Sequence, residues 1–292
     1  MSASYTLRRA RPTLDDAEAL LRVEQASLAD SPYTPMDVLG VLARPEHFAY
    51  LAIRERSAAG FLSCLETPTP QGARLEVDML GVLPEHRGRR LATRLIMLAL
   101  READGRGLRL ARGVAREGNL PSQRAFAGAG LRAGPQPHEL LVYPISGTSP
   151  LPPRTGYGYA IVTSGEVGIP HEVLPPFRAA GLGCVIVQAT GSHGDTVALA
   201  ACLRVHTLAY AGIWIERLWT SSGPALRAAL RAVVEEAKRL GLDEVGHLAT
   251  PQAPALVDAH LDWLREGFVS MGRYLVYQRV APLVQSEACE RT

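Results

Sequence analysis

Residues Val82–Thr93 read VLPEHRGRRLAT. Upstream, Leu75, Val77 and Met79 alternate with Glu76, Asp78 and Leu80, which predicts a strand. Downstream, Leu91 to Ala103 follows a helical pattern. The first N–H groups of a helix have no internal partner, and its dipole puts partial positive charge at that end. A strand that turns through Gly and Arg into a helix therefore suits a phosphate. Arg87, Arg89 and Arg90 add charge, and Gly88 lets backbone approach a ligand closely.

The length of 292 residues suggests two domains. Hydrophobic residues at 47% and charged residues at 21% describe globular material with enough apolar content for real cores. A net charge of +2 argues against a dedicated nucleic-acid binder. Lys238 is the only Lys among 31 basic residues, a bias expected of a GC-rich genome. Cys64, Cys184, Cys202 and Cys289 form no CxxC pair, so neither a zinc site nor a disulfide framework is expected. The N-terminus has no apolar signal core, and no run approaches a membrane span. These features predict a cytoplasmic protein with no membrane partner and no metal.

Along the chain the patterns predict a strand at 5–11, a helix capped by Thr13 and a short helix at 36–42. A hairpin with its turn at Ser57–Ala59 follows, then the strand 75–83, the helix from Leu91, a strand at 108–114, a helix at 119–129 and a strand at 139–145. Residues 146–156 (SGTSPLPPRTG) read as a linker. Further strands, a helix at 171–180, a strong amphipathic helix at 225–240, a helix at 253–266 and a last strand at 270–280 follow, with a loose tail after Pro282. The fold class expected is α/β.

The halves can be superposed. Leu91–Gly107 aligns with Ala225–Gly241 at an offset of 134, whereas the preceding strand aligns at 138, with Asp78 on Glu216. The second copy thus lacks four residues of the turn and all of its Arg: Thr220-Ser221-Ser222-Gly223-Pro224 remain. A phosphate loop is expected in the first half only.

At these residues the chain resembles the GNAT superfamily of N-acetyltransferases, whose acyl-CoA loop reads R/Q-x-x-G-x-G/A after a strand ending V-x-P. Val82-Leu83-Pro84 and Arg87 through Ala92 follow that pattern, except that Arg90 stands where Gly is usual. Asn119 to Leu131 resembles the family's N-x-x-A-x-x-L-Y-x-x-x-G-F, with Phe126 in place of Tyr. The resemblance covers residues 5–145 well and 157–281 weakly. It implies two tandem GNAT-like domains, each a mixed, mostly antiparallel sheet flanked by helices: a catalytic domain at 1–145, a linker at 146–156, a degenerate copy at 157–282 and a tail at 283–292. It also implies acetyl transfer from acetyl-CoA to a primary amine by direct attack. The diphosphate would lie on the N–H groups of Arg87, Gly88, Arg89, Arg90, Leu91, Ala92 and Thr93. The pantetheine would pair with Leu80, Gly81 and Val82 near Asn119, and Phe126 would lie near the sulfur.

Attack by an amine needs a general base and a donor for the developing oxyanion. Glu76 and Asp78, two apart on one strand, share a face and are the base candidates; two neighbouring carboxylates should push one pKa upward. A backbone N–H near Leu80 or Val82 could serve the oxyanion. Phe126 has no hydroxyl, so the acid is supplied by Tyr143, Ser122 or Tyr33, or the thiolate leaves to water. A contrasting reading is an acyl-CoA-binding or regulatory protein without turnover. The acceptor, a small-molecule or peptide amine, has no code in the sequence, and neither has the choice between a monomer (a pseudo-dimer of two halves) and a homodimer. The His residues form no cluster, and Trp214, Trp219 and Trp263 read as packing.

Overall fold

The computed structural model describes residues 4–28, 33–69, 72–145, 157–162, 184–190, 196–208, 210–250 and 257–280. The expected linker at 146–156, the helix at 171–180, the start of the helix at 253 and the tail lie outside these residues.

The chain opens with β1 (Thr6–Arg9) and α1 (Leu14–Ser27), whose N-cap Thr13 accepts the Asp16 N–H. Thr34 and Asp37 close a capping box on α2 (Pro35–Leu42). The hairpin β2 (His47–Arg54) and β3 (Ser57–Thr67) follows. Its turn is Glu55–Arg56, both at positive φ, rather than Ser57–Ala59. A two-residue turn with left-handed positions matches the strand twist, and its sequence holds no Gly or Asn to signal it.

Next come β4 (Arg74–Val82), a 3-10 turn at Pro84–His86, α3 (Leu91–Gly105) and β5 (Leu110–Arg116). They are followed by α4 (Leu120–Gly128), the two-residue β6 (Arg132–Ala133) and β7 (His138–Pro144). The second half holds β8 (Gly158–Val162), β9 (Cys184–Thr190), β10 (Thr196–His206) and β11 (Ala211–Thr220). It ends with α5 (Gly223–Arg239), β12 (Glu244–Ala249), α6 (Val257–Arg265) and β13 (Val269–Val280). No described helix is long and apolar enough to cross a membrane.

The mixed, mostly antiparallel sheet flanked by helices is present, but the strands do not form two separate sheets. They join in one, ordered β1-β2-β3-β4-β5-β13-β7-β12-β11-β10-β9-β8. The reason is an exchange of final strands. β13, from the end of the chain, pairs with β5 of the first half, while β7 pairs with β12 of the second. The two exchanged strands also pair with each other.

The halves repeat one register. The parallel pairing of β4 with β5 runs from Arg74↔Leu110 to Val77↔Gly113, and that of β11 with β12 from Gly212↔Glu244 to Ile215↔His247. These pairs differ by 138 residues on the first strand and 134 on the second, the offsets found in the sequence. A β-bulge precedes each, at Ser63/Cys64 and Ala201/Cys202.

One face of β2–β5 packs against α3 and α4 around Phe48, Leu62, Leu75 and Ile96. The other face meets α1 and α2, where Leu208 of the second half joins the core. Leu65 on that face lies in a cluster with Leu199 and Leu203 of β10, with Trp214 and Trp219 packed against it. The halves therefore join both edge to edge and face to face.

Removing β13 leaves the outer edges of β5 and β7 without a ladder partner. A chain truncated after Gly267, and likewise residues 1–145 alone, should lose cooperative thermal unfolding and aggregate. Circular dichroism melts and size-exclusion chromatography check this.

Candidate functional site

β4 and β5 stop pairing at Val77↔Gly113, yet β4 continues to Val82 on β3 alone. Past that point the strands part, and the β4 backbone from Asp78 to Val82, including Leu80 and Gly81, faces the gap. Gly81 also lets α1 come close, since a Cβ there would lie 3.1 Å from the Ser27 Cβ.

At the end of the gap the chain turns into α3. Arg87, Gly88, Arg89 and Arg90 are all exposed, with Gly88 at φ +74° and Arg90 at φ +55°. Arg90 is the N-cap and supplies no side-chain hydrogen bond. The first N–H groups of α3, on Leu91, Ala92 and Thr93, thus lack a side-chain cap. The expected deviation at Arg90 is accommodated in the left-handed region that Gly prefers, with the side chain in solvent. Arg87 donates from Nε to the Val82 carbonyl at 3.0 Å, and His86 is tethered to the Tyr5 hydroxyl at 2.9 Å.

The equivalent place in the second half is closed. Ser222 caps α5 by accepting the Ala225 N–H at 3.3 Å. Where the first half has Gly113, the second has His247, whose Nδ1 meets the Ile215 carbonyl at 2.8 Å and whose ring stacks on Trp263.

The two candidate bases share the face turned toward α1, α2 and the second half, but their surroundings differ. Glu76 receives Arg74 Nε and, at 2.9 Å, Arg112 Nε. The same arginines reach Glu216 of the second half at 2.8 and 3.1 Å. All four side chains are at most 14% exposed. Burial pulls the Glu216 carboxyl up, and Arg112 and Arg74 more than offset this and hold it below its ordinary value. Glu216 occupies the place of Asp78 in the repeat, so the second copy's carboxylate is locked by arginines of the first half.

Asp78 is the extra residue of the β4 bulge. It accepts the Ser63 hydroxyl at 3.0 Å and the Leu208 N–H at 3.2 Å. Burial pushes it up to about 6, against hydrogen bonds from Ser63, Leu208 and Thr207. The expected cause, repulsion from Glu76, is replaced by burial. Ser63 gives its one proton to Asp78, so it accepts from His47 Nε2 at 2.9 Å. His47 is then the Nε2–H tautomer; burial, with Arg9 and Arg44, pushes it down to about 4.

Asn119 caps α4, accepting the Ser122 N–H at 3.2 Å. Phe126 does not present an open face to a ligand. It is 3% exposed, packed over Gly113 and stacked on Tyr277 at 5.2 Å. A side chain at 113 would collide with its ring. Of the expected acids, Tyr143 is buried in the second half's core and Ser122 sits in the first turn of α4. Tyr33 borders a cleft of about 370 Å³ between α2 and the β10–β11 turn. Among the described residues no cluster of His, Cys, Asp or Glu is arranged to hold a metal.

Residues 14–131 match the Acetyltransferase (GNAT) family. The match lies within the first half of the chain. GNAT domains support acyl transfer, and this gap between strands leading to an uncapped helix start lies inside the matched span. No curated protein matches the chain. Among solved structures, a GCN5-related N-acetyltransferase from Sphaerobacter thermophilus shares 20% identity at TM-score 0.59, covering 94% of this chain and 96% of that one. A tandem GNAT protein from the clavulanic acid biosynthesis pathway shares 17% at TM-score 0.56, covering 96% and 99%. A putative acetyltransferase from Pyrococcus horikoshii shares 13% at TM-score 0.55, covering 95% and 90%. At these identities the likeness is one of fold, and it extends over both halves.

Sequence patterns alone missed His47 and Ser63.

Two stability measurements follow from this geometry. Arg90→Gly should raise unfolding stability by about 1 kcal/mol in urea titration, by relieving a left-handed L-residue. Arg112→Met should lower it by about 3–5 kcal/mol, because Glu76 and Glu216 lose a buried partner.

Proposed function

We propose that this protein is an acetyl-CoA-dependent N-acetyltransferase with one active site, in the first of two tandem GNAT-like units (1–145 and 157–282) that share their final strands. The observation that carries the reading is the pairing of an uncapped, Arg-flanked α3 start with a buried carboxylate, Asp78, beside the same gap. The second half has a capped helix, a filled gap and an arginine-locked Glu216, which supports its role as a wall rather than a second centre.

The N–H groups of Leu91 to Thr93 and the side chains of Arg87, Arg89 and Arg90 fit a diphosphate. The free β4 edge from Leu80 to Val82 fits an amide-bearing arm, and its N–H groups fit the charge that develops on a thioester oxygen. Asp78 takes the proton from the attacking amine. Ser63 and the Leu208 N–H hold its carboxylate in place, so the second half takes part in positioning the base. Glu76 is the weaker candidate, since guanidinium groups engage both of its oxygens. The reading leaves the thiolate to leave to water, and the acceptor is a small-molecule or peptide amine.

Asp78→Asn should lower kcat by about 10²–10⁴-fold while acetyl-CoA binding is retained. With the wild type, kcat/KM should rise with pH through about 6 as Asp78 ionises. The folded state raises the Asp78 pKa, so it binds the proton more tightly than the unfolded chain does. Asp78 ionisation therefore costs stability above that pKa. The Asn variant should consequently be more stable at pH 8, by on the order of 1–3 kcal/mol, and this gain should vanish below pH 4. An Asp78→Asn enzyme with unchanged kcat would sink the assignment.

A further inference from the structure

A buried chain of hydrogen bonds runs from Asp78 across β3 to β2, away from the gap. Ser63 donates to Asp78 Oδ2 at 3.0 Å, and His47 Nε2 meets the Ser63 Oγ at 2.9 Å. His47 opens β2 two residues before Ala49, the ladder partner of Ser63, so the two side chains share a face. His47 is 2% exposed and Ser63 is fully buried. The His47 Nδ1 is buried with no hydrogen-bond partner. An orphaned ring atom in the interior is costly and calls for a reason elsewhere in the structure.

That reason is the direction of the chain. A neutral imidazole has one N–H and one lone pair. With the proton on Nε2, Ser63 accepts from His47 and its own proton goes to Asp78. With the proton on Nδ1, Nε2 would accept, and Asp78 would compete with it for the Ser63 proton. A donor behind a hydroxyl also polarises it and strengthens the bond that it gives. Burial, with Arg9 and Arg44, pushes His47 down to about 4. The ring therefore stays neutral, and gives the same hydrogen bond, across the range in which Asp78 titrates.

The other ionisable groups around Asp78 play different parts. Glu76 is engaged by Arg74 and Arg112, which also hold Glu216. Cys64 on β3 is kept a thiol by burial, with Asp78 adding to it. Burial also raises the hydroxyls of Tyr33 and Tyr210; Asp78 and Glu244 act on both, and Glu24 and Asp243 on Tyr33. Glu244, pushed up to about 7 by burial and Asp243, titrates close to the range of Asp78, so a test has to read Asp78 itself.

Resting on the acyl-transfer reading above, we propose that His47 is a positioning residue for that reaction: acting through Ser63, it fixes the hydroxyl proton on Asp78 and so sets the pH at which Asp78 becomes a base. Its effect reaches the attacking amine only through the charge state of Asp78.

The test follows the Asp78 carboxyl by carbon-13 NMR, and the acetyl-transfer rate, against pH in the wild type, His47→Phe, Ser63→Ala and the double variant. Each donor favours the ionised carboxylate, so losing one raises its pKa. Ser63→Ala should raise it by roughly one unit and His47→Phe by roughly half a unit. The kcat/KM profile of His47→Phe should move by the same amount and meet the wild type by about pH 8, where Asp78 is ionised in both. The double variant should match Ser63→Ala, because His47 acts only through that hydroxyl. His47→Gln, which returns an N–H at the place of Nε2, should restore the wild-type profile. An Asp78 titration indifferent to His47→Phe would overturn the proposal, as would additive shifts in the double variant. So would a nitrogen-15 spectrum of the wild type with the His47 proton on Nδ1, a measurement that decides the matter even should the variants fail to fold. If no amine is acetylated, the acyl-transfer reading fails, and the NMR titration still decides the coupling: a His47→Phe shift that vanishes in the Ser63→Ala background upholds it, and its absence overturns it.

Discussion

The ladder between β13 and β5 is the constraint on which the rest of the molecule depends. It joins Tyr274–Val280 to Arg116–Leu110 in antiparallel register. β5 is hydrogen-bonded to β4 only as far as Gly113, so β13 is what holds its remaining length straight while β4 bends away. The gap between the strands exists because one edge of β5 is satisfied from the far end of the chain. The same strand carries Tyr277, whose ring supports Phe126 over Gly113.

The exchange also explains the buried charges. Joining the halves face to face brings Arg74 and Arg112 of the first against Glu216 of the second, with Glu76 between them. Such a ring is a weak source of net stability, because desolvation offsets most of the attraction. Its effect is directional. It holds Glu216 ionised and engaged, and it keeps Glu76 from acting on Asp78. Asp78 is therefore left without a cation, and burial, working against its hydrogen bonds, moves it toward neutrality in its titration.

The two copies differ through small local choices. Ser222 caps one helix from its own side chain, whereas Arg90 leaves the other uncapped at some backbone cost. Gly113 yields its place on the sheet surface to the Phe126 ring, whereas His247 bonds to the neighbouring strand in the second half. The Ser222 cap occupies an N–H of α5, whereas the start of α3 has no side-chain partner.

Local chemistry made much of this legible from residues alone. The Thr13 cap, the helix of α3 and the turn with Gly88 follow from side chains within a few positions of one another. So does the repeat, whose 138 and 134 offsets reappear in the strand registers because a deletion in a loop leaves the flanking hydrophobic periods intact. Alternation also put Glu76 and Asp78 on one face, but the bulge at Asp78 then sends Met79 to that face and Leu80 to the other, against the expected pattern. It could not decide which carboxylate meets arginines, because Arg112, which binds Glu76, and the amide of Leu208, which holds Asp78, come from distant segments. Nor could it reveal the exchange of β7 and β13, since both strands carry the same alternating pattern and either partner would satisfy it. Tertiary structure decided those points: which edge pairs with which, and which buried charge meets its opposite, are set by long-range packing that no local window contains.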